Sequence, residues 1–376
     1  IRPEPLTLKS NPVDKEVAYI ALKKWADIGP HRARQMLSQV EHFQDLFSRP
    51  LSELQKQVTN IPDKIWNVDR SRLIEEAEAD WARCQKENIE LIHWEHPNYP
   101  NRFKPLEQAP LAVFYQGNAQ LNGRRTIGIV GTRKMTERGQ ILCEKLVEAI
   151  AGYDPLIISG LAYGVDATGH RAALKYGLDT LGIMGTGPDL VYPSAHRDLA
   201  RKMVEQGGLM TQLNFGKGPE REHFPMRNQL VAAMSDALIV VESAAKGGSM
   251  ITAGMASDLH KPVFAFPGRP TDEFSLGCNQ LIKQGKAKLI ESGADLIDAL
   301  EWSKLHDKRT VQRQLFVDLT ENEQRILDHL RTARESDVDQ LSYQLNIPIH
   351  ELSTVLLELE FKGLVKSRPG NRYLAI

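Results

Sequence analysis

Cysteine is scarce in this chain of 376 residues, and long apolar runs are absent. The three cysteines, Cys84, Cys143 and Cys278, form no Cys-x-x-Cys pair, which argues against a metal site or a disulfide framework and favours a reducing cytosol. No apolar run approaches the roughly 20 residues of a membrane-spanning helix. The polar, proline-bearing first ten residues do not resemble a signal peptide. We therefore expect a cytoplasmic protein without metal, cofactor or membrane contact.

The chain also has almost no net charge, but its charges are unevenly distributed. The net charge of −1 combines a central stretch with a small basic excess and a tail with a small acidic one. Arg124 to Lys288 contains 20 Lys and Arg against 16 Asp and Glu, whereas Val311 to Ile376 contains 8 against 10. The central excess is compatible with nucleic acid as a partner. The length predicts two or three domains.

The N-terminal segment, residues 1–95, alternates helical patterns with short turns. Gly29-Pro30 opens one of the predicted helices and resembles the second half of a helix-hairpin-helix, in which helix amides hold a phosphate. An ordinary helical packing module explains the same pattern. Residues 96–122 are rich in proline and carry apolar side chains from Leu106 to Tyr115, so we expect them to pack along the next domain.

Residues 96–302 are predicted to form one domain, in which strand and helix patterns alternate after the lead-in. This alternation predicts a doubly wound, Rossmann-like parallel sheet, because parallel strands need helical crossovers. Glycine turns follow several strands, and the carboxyl ends of parallel strands share the edge at which ligands bind. The predicted strands are Thr126–Val130, Leu156–Ser159, Thr180–Met184, Leu209–Leu213, Ala237–Glu242, Val263–Phe266 and Lys288–Ile290.

The first glycine turn does not have the dinucleotide-binding pattern. It lacks the G-x-G-x-x-G spacing, and Leu156 stands where an acidic residue would bind the ribose. Instead, Arg133 follows Gly131 and Thr132, so a guanidinium and two backbone amides are expected to bind a phosphate. The alternative is that Arg133 pairs with Asp166 and only joins two loops.

A second candidate group lies in the sequence Phe-Pro-Met-Arg-Asn. Bases can stack on Phe224 while Arg227 and the preceding Arg221 contact phosphates, a combination typical of single-stranded DNA sites. The alternative is that Phe224 is a core residue. Asn228 either contacts the DNA or braces the loop, and both roles remain open.

Two further turns are candidates for anion binding. Gly247, Gly248 and Ser249 open a predicted helix from Ser249 to Leu259, with Ser249 as its N-cap. A capped helix without a ligand explains this pattern equally well. Ser159 and Gly160 end the second predicted strand in a similar way. His170, on the same helical face as Asp166, is expected to be a structural brace and not a catalyst.

The remaining residues predict a charged linker at 303–316 and a winged helix at 317–376. Three helices precede two short strands around Pro369-Gly370, and Thr320 and Glu323 have capping-box spacing. The third helix, Pro348 to Lys362, carries three glutamates and only one Lys or Arg, Lys362, so duplex phosphate should be repelled. Lys366, Arg368 and Arg372 cluster on the wing. We expect a protein contact, or weak DNA binding by the wing alone.

Together, these motifs resemble the DNA-processing protein A (DprA, or Smf) family of natural transformation. The order and spacing of the motifs carry the resemblance. They are Gly131–Arg133, Ser159–His170, Tyr192-Pro193, Phe224–Asn228, Gly247–Ala253, Pro267-Gly268 and Gly277–Ile282. Three positions depart from the family pattern: Thr132 replaces the usual Ser, Gln229 replaces an Arg, and Lys286 replaces an Ala. The change at Gln229 removes one charge from the predicted contact surface.

The resemblance implies an extended Rossmann-like domain, an N-terminal helical domain of sterile-alpha-motif type and a C-terminal winged helix. It further implies single-stranded DNA binding, homodimerisation, loading of the RecA recombinase and single-strand-binding protein as another partner. The function it implies is that of a non-enzymatic mediator that protects incoming DNA and loads RecA during transformation.

An enzyme of the nucleotide phosphoribohydrolase class is the alternative. The stretch from Arg227 through Thr252 is similar to the signature of those enzymes, whose final glutamate acts on the ribose. Here the corresponding residue is Thr252, which cannot act as a carboxylate. The sequence therefore favours binding of a polyanion over turnover of a nucleotide.

Overall fold

A computed structural model describes residues 13–303, 320–333, 336–362, 364–368 and 370–375. These residues fall into two compact units, divided between Leu305 and His306. Residues 1–12, Pro369 and all of the predicted linker except Ser303 lie outside the described residues. The helical segment and the sheet segment, which the sequence divides at residue 95, lie in the same compact unit.

The first unit contains a nine-stranded sheet within its described residues. Seven of the strands are parallel and correspond to the seven predicted from the sequence. The strands are β1 (Glu90–His93), β2 (Ala112–Gly117), β3 (Thr126–Val130), β4 (Leu156–Ser159), β5 (Thr180–Ile183), β6 (Gly207–Thr211), β7 (Ala237–Val240), β8 (Val263–Ala265) and β9 (Lys288–Leu289). The doubly wound α/β class is thus confirmed.

The strand order is β1-β2-β6-β5-β4-β3-β7-β8-β9. From β3 the chain proceeds outward through β4, β5 and β6, and it then returns to the other side of β3 to begin β7. The winding direction therefore reverses between β3 and β7. In open α/β sheets, this reversal point opens a crevice at the carboxyl ends of the strands, where ligands bind.

Two antiparallel strands, β1 and β2, extend the sheet beyond β6 and were not predicted as strands. β2 pairs with β6, and β1 pairs with β2. The apolar side chains from Leu106 to Tyr115 are buried, as expected for a lead-in that packs on the domain. β6 begins at Gly207, two residues earlier than predicted, because Gly207 and Gly208 pair with β5 on one side while Gly208 pairs with β2 on the other.

Helices cover the sheet. Five α-helices lie between residues 13 and 95, and their apolar residues form one core with Leu91, Ala112 and Phe114 of the antiparallel edge. They are α1 (Lys15–Lys24), α2 (Pro30–Ser38), α3 (Asp45–Ser48), α4 (Leu51–Gln57) and α5 (Arg70–Lys86). Pro30 occupies the first turn of α2, where its missing N–H costs nothing.

The other helices of the first unit cover the two faces of the parallel strands. Side chains alternate along each strand, so Ile127 and Ile129 of β3 contribute to one core and Val130 to the other. These helices are α6 (Glu137–Ile150), α7 (Val165–Lys175), α8 (Arg197–Glu205), α9 (His223–Met234), α10 (Gly248–Asp258), α11 (Leu276–Lys283) and α12 (Gly293–Ala299).

The second unit is a winged helix, as predicted. Its elements are α13 (Glu321–Ala333), β10 (Ser336–Asp337), α14 (Val338–Leu345), α15 (Ile349–Phe361), β11 (Val365–Arg368) and β12 (Arg372–Ala375). The capping box at α13 is formed: the Thr320 amide donates to the Glu323 carboxylate at 2.8 Å, and the Glu323 amide donates to Thr320 Oγ1 at 3.4 Å. The short strand β10 was not predicted.

Candidate nucleic-acid interface

Loops from three neighbouring strands and the first turn of α10 surround one cavity at the carboxyl edge of the sheet. Its volume is about 320 Å³, and it lies at the point where the winding reverses. We call it the strand-end site. Its lining includes Gly131, Thr132, Arg133, Gly160, Arg227, Asn228, Gly247, Gly248 and Ser249. Nine of the twelve predicted DNA-binding residues are therefore brought together.

Two glycines of this site are required by close packing. A Cβ at Gly131 would lie 2.4 Å from Cγ2 of Val165, at the start of α7. A Cβ at Gly160 would lie 2.5 Å from Cζ of Arg227. Each position therefore allows a neighbouring side chain to pack closely against the strand end, and a larger residue would force the loop or that side chain to move.

The loop after β3 is held by backbone bonds to the loop after β7. The amide of Thr132 donates to the carbonyl of Glu242 at 2.7 Å. The expectation that this amide would bind a phosphate is therefore wrong, because the hydrogen is already used. The Glu242 carboxylate accepts from the Thr136 amide at 2.9 Å and from its hydroxyl at 2.5 Å, at the start of α6. Glu242 thus positions both ends of the loop that carries Arg133, a role that no motif in the sequence indicates.

Arg133 is exposed at the mouth of the strand-end site. Among the described residues, no carboxylate lies within ion-pair distance of its guanidinium, so the alternative pairing with Asp166 is not formed. Its Cζ atom lies 5.4 Å from the centroid of the Phe224 ring. The arginine is therefore in contact with an aromatic face while its charge remains available to an anion.

Phe224 is half-buried, not a core residue, and belongs to a group of exposed rings. Its ring covers Gly185, and its centroid lies 6.3 Å from that of Tyr192. Tyr192 is 45% exposed and Tyr163 is 49% exposed, and both line a small cavity with Phe224. We call Tyr163, Tyr192 and Phe224 the aromatic cluster. Tyr163 lies in the motif Ser159–His170 and Tyr192 in the motif Tyr192-Pro193, but only the structure shows that their rings face solvent beside Phe224.

Arg227 is different from Arg133, because it is only 6% exposed. Its Nη1 donates to the carbonyls of Gly160 and, at 2.9 Å, Ile183, and its Nε donates to Asn228 Oδ1 at 3.0 Å. Burial lowers the pKa of this guanidinium, and Asp166 opposes that shift. Arg227 therefore ties the ends of β4 and β5 together. A phosphate contact by Arg227 remains a prediction, whereas its structural role is directly visible.

The carboxylate whose charge acts on the pKa of this arginine is that of Asp166, which is 8% exposed. Burial raises its pKa, and the charge of Arg227 counteracts the rise. Its Oδ2 accepts from the Ala162 amide at 3.2 Å. Asp166 thus holds the loop after β4 through the Ala162 amide and offsets part of the positive charge of Arg227.

The two remaining residues of this motif have separate positions. Asn228 lines the strand-end site and accepts a hydrogen bond from Arg227, so it braces the arginine while one side faces the cavity. Arg221 is exposed, two residues before α9 begins. It does not line the strand-end site, so any contact it makes with DNA would lie outside the cavity.

The helix α10 begins one residue earlier than predicted. Gly247 is its N-cap, and the Ser249 hydroxyl donates instead to Ser243 Oγ at 2.8 Å. The prediction of Ser249 as N-cap is therefore wrong, since that residue lies inside the first turn and is 6% exposed. The first amides of a helix have no intrahelical acceptor, and Gly248 and Ser249 line the cavity, so their amides are candidates for binding an anion there.

Ser159 and His170 lie behind the site. Ser159 is fully buried and its hydroxyl donates to the Ile129 carbonyl at 2.6 Å, so direct DNA contact through this hydroxyl is not supported. His170 Nδ1 lies 2.6 Å from Thr180 Oγ1, which itself donates to the Ile157 carbonyl. Burial lowers the pKa of His170 to about 3. His170 is a neutral brace in the core, as expected.

The described residues contain no group of three or more His, Cys, Asp and Glu side chains that could hold a metal ion. In the same part of the chain, no helix combines the length and the apolar character that crossing a membrane requires. The three cysteines are unpaired and buried, and burial raises the pKa of each thiol to about 12.

Fold and site together define a doubly wound α/β protein with an anion-binding strand edge beside exposed aromatic rings, followed by a winged helix. The chain belongs to the DNA recombination-mediator protein A (DprA/Smf) family. The family model matches residues 90–301, and a model of the DprA winged helix domain matches residues 314–371. The suspected family is thus confirmed over both units.

Known relatives agree with this assignment. Protein Smf of Synechocystis is 30% identical over 324 residues, which cover 77% of this chain and 81% of the relative. The X-ray structure of DprA from Streptococcus pneumoniae is 28% identical, has a TM-score of 0.62 and covers 76% of this chain and 99% of its own. A structure of DNA processing protein A from Helicobacter pylori, which concerns that protein's single-stranded DNA binding mode, is 27% identical with a TM-score of 0.52 and covers 57% and 95%.

Proposed function

We propose that this protein binds single-stranded DNA at the strand-end site and the aromatic cluster and acts as a recombination mediator. The observation that carries the proposal is the contact of Arg133 with Phe224 at the mouth of the cavity. It brings one accessible cation and one stacking face together, with the first amides of α10 behind them. A flexible strand can offer phosphates and unstacked bases to these groups at once, whereas a duplex cannot.

In this proposal, the protein acts in the cytoplasm as a homodimer, protects incoming DNA and transfers it to the RecA recombinase during natural transformation. Single-strand-binding protein is the further partner proposed. These finer points rest on the family resemblance and not on the geometry of the site. The H. pylori relative supports the DNA-binding part, because its structure concerns binding of single strands.

The proposal is tested by measuring binding of single-stranded and duplex oligonucleotides of equal length across a salt series. We expect a clear preference for single strands and a steep loss of affinity with salt, because each phosphate contact releases counterions. Equal affinity for both forms, with a flat response to salt, would contradict the proposal. RecA loading is tested separately, by following RecA filament formation on DNA covered with single-strand-binding protein.

A nucleotide phosphoribohydrolase activity is the competing proposal, and the cavity volume of about 320 Å³ is its best support. The identity of Thr252 argues against this activity, because it stands where those enzymes have a glutamate. Thr252 lines this cavity, is 2% exposed and donates to the Gly248 carbonyl at 3.3 Å. A threonine at this position supplies no carboxylate to stabilise a positively charged sugar. Incubation with nucleoside monophosphates, followed by a search for free base, decides between the two functions.

A further inference from the structure

A second cavity lies where the N-terminal helices meet the sheet. It has a volume of about 240 Å³ and is lined by residues of α1, α2, the lead-in to β2, the loop after β6 and helix α9. Most of its walls are apolar, including Leu22, Pro30, Leu111 and Met226. We call it the junction pocket. Neither the strand-end site nor the aromatic cluster uses any of these residues.

The junction pocket contains a hydrogen-bond acceptor without a partner. Asn214 Nδ2 donates to the carbonyl of Lys23 at 3.2 Å, which fixes the orientation of the amide group. Its Oδ1 atom is buried and has no hydrogen-bond partner among the described residues. Buried acceptors are normally satisfied by protein, water or ligand, so this oxygen can accept a hydrogen bond from an N–H group of a ligand.

The cation in the same pocket is not paired with a carboxylate. Lys23 Nζ donates to the carbonyls of Gln212 at 2.6 Å and Ala112 at 3.2 Å, and no carboxylate of the described residues lies within ion-pair distance. Burial lowers the pKa of Lys23 to about 7. Lys217 adds a second, exposed amine at the rim. These amines can donate to carbonyl or ring-nitrogen acceptors of a ligand.

The junction pocket and the proposed DNA surface are both lined by the first turn of helix α9. Phe224 and Met226 lie two residues apart in the first turn of α9. Phe224 belongs to the aromatic cluster, whereas Met226, which is 46% exposed, lines the junction pocket. The loops behind them are joined, because the Gly187 amide donates to the Lys217 carbonyl at 2.8 Å. A strand that leaves the aromatic cluster over α9 therefore reaches this pocket.

We propose that the junction pocket takes one unstacked nucleobase of the bound strand, with a base N–H donating to Asn214 Oδ1. A nucleobase combines what the pocket requires: flat apolar faces for Met226 and Leu111, a donor for the free oxygen and acceptors for the lysines. The apolar walls and the free oxygen of Asn214 offer a phosphate no hydrogen bond, so a base matches more of the lining than a phosphate does, despite the two amines. This inference rests on the proposed function and adds a base-binding position to it.

The test is an abasic walk with the full-length chain. A single abasic site is moved along one oligonucleotide of mixed sequence, and affinity is measured at each position for the wild type, Met226→Ala and Asn214→Leu. We expect one position, beyond those stacked on the aromatic cluster, at which the abasic site weakens wild-type binding about tenfold. In both variants the loss of affinity caused by an abasic site at that position should fall to about twofold or less, because the base has lost its pocket. The losses at the other positions should be the same as in the wild type.

Ile141→Ala is the matched control, since it truncates an apolar side chain of α6 that is 47% exposed and lies outside the pocket. This control should keep the wild-type penalty at every position. Met226 is also exposed, so its variant remains informative if Asn214→Leu does not fold. If the abasic penalties are the same in the wild type and Met226→Ala, the pocket binds no base. If the wild type binds no single strand at all, the proposed function itself fails, and the pocket's role with it.

Discussion

The guanidinium of Arg133 lies 5.4 Å from the ring centroid of Phe224, although 91 positions separate the two residues in the chain. The loop after β3 supplies the arginine, and the first turn of α9 supplies the ring. The Phe224 ring is also 5.8 Å from the Cζ atom of Arg227, which is buried. One ring thus lies between a structural arginine and an accessible one, and this difference separates the effects expected from mutating each.

Arg133→Ala should weaken binding to single strands of every sequence and reduce the salt slope by about one unit, as loss of one phosphate contact does. The exposed side chain makes no ion pair with the described residues, so unfolding by urea should change by no more than about 0.5 kcal/mol. Fluorescence anisotropy across a salt series measures the slope. The control is Arg201→Ala, another exposed arginine, which lies in α8 and pairs with Asp198, and its slope should equal that of the wild type. An unchanged slope for Arg133→Ala would place the DNA elsewhere.

Phe224→Leu should weaken binding without changing the salt slope, because stacking involves no charge. The expected loss is about 1–3 kcal/mol, the range for one base stacked on an aromatic ring. Leucine keeps the apolar contact with Gly185 but removes the flat face. Phe224→Tyr restores the face and should recover most of the affinity, and failure of this recovery would argue against stacking. Titration with the same oligonucleotide at two salt concentrations gives both quantities.

Arg227→Met should destabilise the fold, in contrast to Arg133→Ala. It leaves the carbonyls of Gly160 and Ile183 without their donor and the buried Asp166 without its neighbouring charge. Leaving a buried acceptor without its donor costs about 1–3 kcal/mol. Urea unfolding measures the loss. If the variant is as stable as the wild type, the bonds described for Arg227 contribute little, and its main role lies in the ligand.

His170 should make stability fall as the pH falls below 6.5. In the unfolded chain it takes up a proton near its ordinary pKa of 6.5, whereas the buried side chain does so only at about 3. Between these values the unfolded state binds more protons, so the free energy of unfolding falls by about 1.4 kcal/mol per pH unit from this group. Above pH 6.5 His170 is neutral in both the folded and the unfolded chain, so its contribution to the free energy of unfolding no longer changes with pH.

The measurement compares urea unfolding at pH 7 and pH 5 in the wild type and in His170→Asn. The asparagine amide can still donate to Thr180 Oγ1 but does not titrate. The wild type should therefore lose about 2 kcal/mol more than the variant between the two pH values. His93, whose pKa is lowered to about 4 by burial, titrates in both proteins and cancels in the comparison. Equal losses would show that His170 is not neutral in the fold.

A chain that ends at Leu305 should keep most of its affinity for single strands. The boundary falls between the two compact units, so the first unit should fold without the second. Lys362 is the single Lys or Arg predicted for the third helix of the winged helix. Its Nζ lies 2.5 Å from Glu323 Oε1, so its charge is already paired and does not offset the glutamates of that helix. A loss of a hundredfold or more on truncation, about 2.7 kcal/mol, would show instead that Lys366, Arg368 and the rest of the wing supply a main phosphate contact.

Local patterns in the sequence were sufficient for most of the fold. Each parallel strand is a short apolar run bounded by turn residues, so seven strands were found without knowledge of their neighbours. The antiparallel β1 and β2 were missed as strands, since β2 pairs with β6, about 90 residues further along the chain, and β1 pairs in turn with β2. Their apolar residues still indicated correctly that the lead-in is buried.

By itself, the sequence determined which residues could form the site, because glycine turns after parallel strands necessarily meet at one edge of the sheet. Only the tertiary structure decided what each residue does there. In the folded protein, Arg227 is buried and bonded to two carbonyls, and the Thr132 amide is bonded to another loop. The hydroxyls of Ser159 and Ser249 are bonded inside the protein. Tyr163 and Tyr192, by contrast, are exposed beside Phe224. The physical reason is that side-chain direction and hydrogen-bond partners depend on elements that are distant in the chain, whereas strand and turn propensities are local.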